Sequence, residues 1–201
     1  TDEQPEPAES PDAVAPEIVA IAASTGGPSA ICTVLHELPT DFPVPIVLVQ
    51  HITPGFLDGY VTWLDRRIDL PATVARDGQK PRPGHVYVAP DHRHLGVAPD
   101  GCLALDDGPP IGGHRPSADH LFLSCHRVFG AGVVAVMLTW MGRDGVDGLR
   151  SVRKAGGRII CQDRETSAVY GMPGAAADAK LADRILPLDF IAQAIRKEVD
   201  D

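Results

Sequence analysis

The sequence predicts an α/β fold: a mostly parallel sheet with helices on both faces and an inserted β-hairpin region. Short runs that are apolar at nearly every position recur along the chain, as in IVAIA at 18–22, PIVLVQ at 45–50 and VVAVML at 133–138. Strands of that kind are buried on both faces, which is the condition of a parallel sheet. Helix-forming stretches separate them, and this alternation implies helix-covered parallel strands. Ligands of such sheets bind beyond the carboxyl ends of the strands.

In order, the first strand (18–22) runs into Ser-Thr-Gly-Gly-Pro and a helix over 29–38. The second strand (45–50) is followed by a helix over 55–67. From His85 to Asp107 the runs VYVAP, HLGVAP and CLAL are broken by turn formers, Pro99-Asp100-Gly101 among them, and predict β-hairpins. A helix spans 118–129 with Ser117 as its N-cap. The third buried strand (133–138) leads through TWMGRDG into a helix over 146–155. A strand at 158–161, a helix at 175–180, a strand at 184–186 and a helix at 188–199 complete the order.

Residues 1–16 hold four prolines, five acids and no aromatic residue, too little apolar surface to offset ordering, and are expected to be an acidic linker or tail ahead of a domain at 17–201. The first 65 residues carry ten acids and no Lys or Arg, whereas the remainder carries 18 basic against 17 acidic residues. That near-neutral body lacks the basic footprint of a nucleic-acid binder. Four widely separated cysteines with no CxxC spacing read as reduced thiols. No secretory leader or bilayer-length apolar run is present, so a soluble, cytoplasmic protein without membrane insertion is expected.

Three of the expected strand ends carry reactive groups: Ser24 after the first, His51 after the second, and Asp144, in Met141-Gly142-Arg143-Asp144-Gly145, after the third. A serine hydroxyl becomes a nucleophile only when a base takes its proton, and a carboxylate then orients that base. The glycines after Ser24 clear space for substrate, and a helix N-terminus there offers N–H groups to an oxyanion. The stretch Ala22-Ala23-Ser24-Thr25-Gly26 is like a hydrolase nucleophile elbow without its first glycine, and the order Ser…His…Asp differs from that fold's.

Other readings stay open on the residues alone. The STGGP loop could cradle phosphate, although neither GxGxxG nor GxxxxGK[ST] occurs. His92 and His94 have ligand-like spacing but no evident carboxylate or cysteine set, and no HExxH occurs, so neither a metal nor a cofactor is expected. A catalytically silent binding module, with Trp140 closing the pocket, is the remaining alternative. Trp140 itself is expected at the cleft rim.

The blocks AASTGGP (22–28), VQH (49–51), GHVYVAP (84–90), HRPSAD (114–119), MLTWMGRDGVDGL (137–149) and QDRETSAVYGMP (162–173) together resemble the catalytic domain of chemotaxis protein-glutamate methylesterases, the CheB family. The resemblance covers nearly all of 18–199. It implies a doubly wound sheet, hydrolysis of glutamate methyl esters on the cytoplasmic helices of chemoreceptors, and deamidation of receptor glutamines. It places the nucleophile on Ser24, the base on His51 and the acid on Asp144, with backbone N–H groups at Thr25 and Met141 as oxyanion donors. His114 and Arg115 are cleft candidates. Many members carry a receiver domain that these 201 residues do not contain, and Trp140 stands where the family usually has glycine.

Overall fold

The buried strands assemble as their composition requires. The computed structural model describes residues 14–200, so residues 1–13 of the expected tail lie outside the described part. Seven strands form one sheet in the order β3-β4-β2-β1-β7-β8-β9, all neighbours parallel. They are β1 (Ile18–Ala23), β2 (Ile46–Gln50), β3 (Ala72–Val74), β4 (Val86–Val88), β7 (Val133–Met137), β8 (Arg158–Gln162) and β9 (Arg184–Leu186). Strands β5 (His94–Val97) and β6 (Leu103–Asp106) pair separately as an antiparallel hairpin.

Every residue of β1 is fully buried, and its side chains alternate between two cores. Val19, Ile21 and Ala23 face the first, with α1 (Gly27–His36), α2 (Leu57–Asp65) and α6 (Leu188–Asp200). Ile18, Ala20 and Ala22 face the second, with α3 (Ala118–Phe129), α4 (Val146–Lys154), α5 (Met172–Asp178) and the hairpin. This two-sided burial is why the strand has no polar alternation. Removing one such side chain, as in Ile21→Ala, costs about 2–5 kcal/mol.

One expectation is corrected here, and one strand had no sequence reading. Val86–Val88 is not part of a hairpin but a strand of the main sheet, pairing with β2 and β3; only 94–106 forms the hairpin. The three-residue β3 was not foreseen at all. The sheet is doubly wound: the chain goes from β1 to β2 on one side and later crosses to β7 on the other. The strand order thus reverses around β1, and its carboxyl end lies at the crevice where such sheets bind ligands.

Candidate active site

Ser24 follows β1 directly, and its N–H donates to the Thr139 carbonyl (3.0 Å) just beyond β7. The chain then turns at Gly26, whose φ of 77° is the left-handed conformation a glycine adopts without strain. Pro28 opens α1, where its missing N–H costs nothing. His51 follows β2, and its backbone N–H donates to the Ala23 carbonyl (2.9 Å), extending the β1–β2 pairing by one bond. Ser24 and His51 therefore leave neighbouring strands side by side. The Ser24 hydroxyl makes no hydrogen bond among the described residues.

Asp144 comes from the loop after β7 and is almost wholly buried. His51 Nε2 lies 3.3 Å from Asp144 Oδ2 and 3.1 Å from the Pro116 carbonyl. Both neighbours accept hydrogen bonds, so Nε2 carries the proton of the neutral ring and Nδ1 holds the lone pair. The carboxylate also accepts from the Ser117 hydroxyl (2.6 Å) and from the N–H groups of Ala118 (2.7 Å) and Asp119 (3.2 Å) at the start of α3. Burial acts on Asp144 most strongly and pushes its carboxyl up. The contacts with His51, Ser117, Ala118 and Asp119 together outweigh it and hold the carboxyl below its ordinary value.

The backbone N–H groups of Thr25 and Met141 have no acceptor among the described residues, and both residues are exposed. His114 stacks on the His51 ring at 4.1 Å, and with Arg115 it lines a cavity of about 180 Å3 beside His51. Burial, followed by the neighbouring His51 charge, lowers the pKa of His114, with Asp144 opposing. Arg115 Nη1 donates to the carbonyls of Asp107 and Gly108, so its guanidinium is anchored to the loop.

Trp140 departs from expectation. It is not at the rim: the side chain is fully buried, with its ring 4.0 Å from that of His51. The segment from Val169 to Met172 holds it there, through Trp140 N–H to the Val169 carbonyl and Gly171 N–H to the Trp140 carbonyl (both 3.0 Å). The exposed position is that of the next residue, Met141.

Sequence reading found Asp144, Ser117 and His94 but missed Gln50, Thr139 and Gln162 behind them. The buried polar side chains among the described residues are Gln50, His94, Ser117, Thr139, Asp144 and Gln162, and all belong to this one region. Gln162 Oε1 accepts from Thr139 N–H (2.8 Å), and Thr139 Oγ1 donates to the Thr25 carbonyl (2.8 Å). His94 accepts from Ser117 N–H at Nδ1 (3.2 Å) and faces the Pro109 carbonyl through Nε2 (3.1 Å). Both its nitrogens are thus committed within the protein, so it is not available as a metal ligand. Among the described residues no group of three or more His, Cys, Asp or Glu side chains could hold a metal. A signal for two of the missed residues was present: Gln50 and Gln162 are each the polar last residue of an apolar strand.

Comparison with known proteins agrees with this architecture. Residues 19–195 match the family model described as CheB methylesterase. The chain is 51% identical over 95% of its length to protein-glutamate methylesterase/protein-glutamine glutaminase 3 of Anaeromyxobacter dehalogenans, covering 56% of that protein. It is 48% identical over 90% of its length to the corresponding protein 4 of Myxococcus xanthus, covering 51% of it. The chain thus spans about half the length of the curated relatives it matches. The crystal structure of the Thermotoga maritima CheB methylesterase catalytic domain superposes with a TM-score of 0.87 at 37% identity, covering 93% of this chain and 99% of that one. The chain belongs to the CheB methylesterase family.

Proposed function

We propose that this chain is a serine hydrolase that removes methyl groups from glutamate side chains of chemoreceptor cytoplasmic helices and deamidates receptor glutamines, with Ser24, His51 and Asp144 as its triad. The observation that carries the reading is the His51–Asp144 contact beside the β1 strand end from which Ser24 emerges. Ser24 Oγ attacks the ester carbonyl carbon while His51 Nδ1 takes the hydroxyl proton. The ionised Asp144 stabilises the imidazolium that forms. The N–H groups of Thr25 and Met141 receive the oxyanion. Collapse of the tetrahedral intermediate breaks the C–O bond to the methoxy group, and His51 returns the proton to it as methanol leaves. Water then attacks the acyl-enzyme, gives its proton to His51, and frees glutamate and the Ser24 hydroxyl. Catalytic hydrogen bonds of the Ser24–His51 kind commonly close only around the substrate.

The reaction needs no metal or cofactor. The substrate protein would approach from solvent, and no helix among the described residues is long and apolar enough to cross a membrane. A receiver domain as regulatory partner fits the family resemblance and the roughly half-length match to the relatives. Ser24→Ala tests the reading: methanol release from methylated receptor should vanish while the unfolding temperature stays near wild type, because the side chain is small and only half-buried. Near-normal release would remove Ser24 as nucleophile.

A further inference from the structure

Gln50 is the last residue of β2, 3% exposed, and its carboxamide lies between the two strand ends from which Ser24 and His51 emerge. Its single NH2 group donates to both of their backbone carbonyls, at 2.9 Å to Ser24 and 2.7 Å to His51. The other half of the amide is unused: Oε1 is buried with no partner among the described residues. A buried unpaired oxygen is a cost that an apolar side chain of the same size would avoid. Gly27 leaves the room that this amide occupies. A Cβ on Gly27 would lie 2.0 Å from Gln50 Oε1, so the first helical residue after the nucleophile loop has to be glycine for the carboxamide to fit.

The bond to Ser24 has a second consequence. The Ser24 carbonyl accepts from both Gly27 N–H (2.7 Å) and Gln50 Nε2, which fills its two lone-pair positions and turns it inward. The peptide unit is planar and trans, so the N–H of Thr25 points the opposite way from that carbonyl. Thr25 is exposed, and its N–H has no acceptor among the described residues. Fixing the carbonyl therefore aims the N–H away from the interior.

Resting on the Ser24–His51–Asp144 reading, we propose that Gln50 is a positioning residue: its carboxamide sets the spacing of nucleophile and base and aims the Thr25 N–H at the developing oxyanion. Its amide hydrogen-bonds only to backbone carbonyls, so its loss lowers the rate of chemistry and leaves substrate binding almost unchanged.

Gln50→Met, close to isosteric but unable to donate, tests this alongside Ser24→Ala. The expected result is a kcat lower by about 10- to 100-fold, since small misplacements of catalytic groups cost that much, with KM within about twofold. Labelling by a fluorophosphonate probe should slow in parallel. Gln50→Asn keeps the amide but draws it back by one carbon–carbon bond, ~1.5 Å, and should give an intermediate kcat. A Gln50→Met enzyme with wild-type kcat overturns the proposal, whatever its unfolding temperature. Were that variant too unstable to purify, wild-type kcat in Gln50→Asn would overturn it equally. If Ser24→Ala retains activity, the fault lies with the nucleophile assignment and not with Gln50.

Discussion

Replacing Trp140 by glycine removes a fully buried ring and, with it, the wall against which the His51 imidazole rests at 4.0 Å. Truncating a buried Trp costs about 3–5 kcal/mol through lost transfer energy and the cavity left behind. In a domain of this size each kcal/mol lowers Tm by about 2–4 °C, which gives a fall of roughly 6–20 °C. The ring also confines His51, and letting that imidazole move by ~1 Å costs about 100-fold in rate. Trp140→Gly should therefore lose on the order of 10- to 100-fold in kcat for methanol release, beyond any loss of folded protein. Trp140→Phe separates the two effects. It keeps an aromatic wall and removes an indole N–H that is buried without an acceptor among the described residues, so its stability should stay within about 1.5 kcal/mol of wild type. Thermal unfolding and methanol release, measured on the same preparations, check both. An unchanged Tm in Trp140→Gly would refute the buried position, and a large fall in Tm with normal kcat would refute support of His51.

His51→Gln and Asp144→Asn should each lower methyl-ester hydrolysis by about two to four orders of magnitude; a mild loss at Asp144 would mean that another group orients His51. The Asp144 carboxyl is held below its ordinary value in the folded state. Its contribution to stability is therefore present above the unfolded value of about 3.9 and is lost as pH falls through the lower folded value. Unfolding followed in urea between roughly pH 5 and 2 should show this acid-side loss, and Asp144→Asn should flatten it; identical slopes in the two proteins would contradict the hydrogen-bond account of the carboxylate.

The runs that became β1, β2 and β7 were legible because each is apolar at nearly every position and ends in a turn or a helix start. Val86–Val88 was misread because three apolar residues followed by Ala-Pro look alike in a hairpin and in a short parallel strand; only its pairing with β2 distinguishes them. Strand β3 is three residues with one buried side chain, too short for any periodicity. Ser24, His51 and Asp144 could be picked as candidates from their places at strand ends. The depth of Trp140 could not, since it depends on the Val169–Met172 segment closing over it, about 30 residues away in the chain. Gln50 reads as an ordinary strand terminus and Gln162 falls just beyond the expected 158–161 strand, until their amides are seen bridging loops that the sequence keeps far apart.

Covalent labelling decides whether Ser24 is a nucleophile activated by His51. The protein is incubated with a fluorophosphonate probe near neutral pH, digested, and the adduct located by mass spectrometry. A single adduct is expected on the peptide containing Ser24 in the wild type, with labelling at least about 100-fold slower in His51→Gln. An adduct on a different residue, or equal labelling rates in the two proteins, would remove Ser24 as a His51-activated nucleophile.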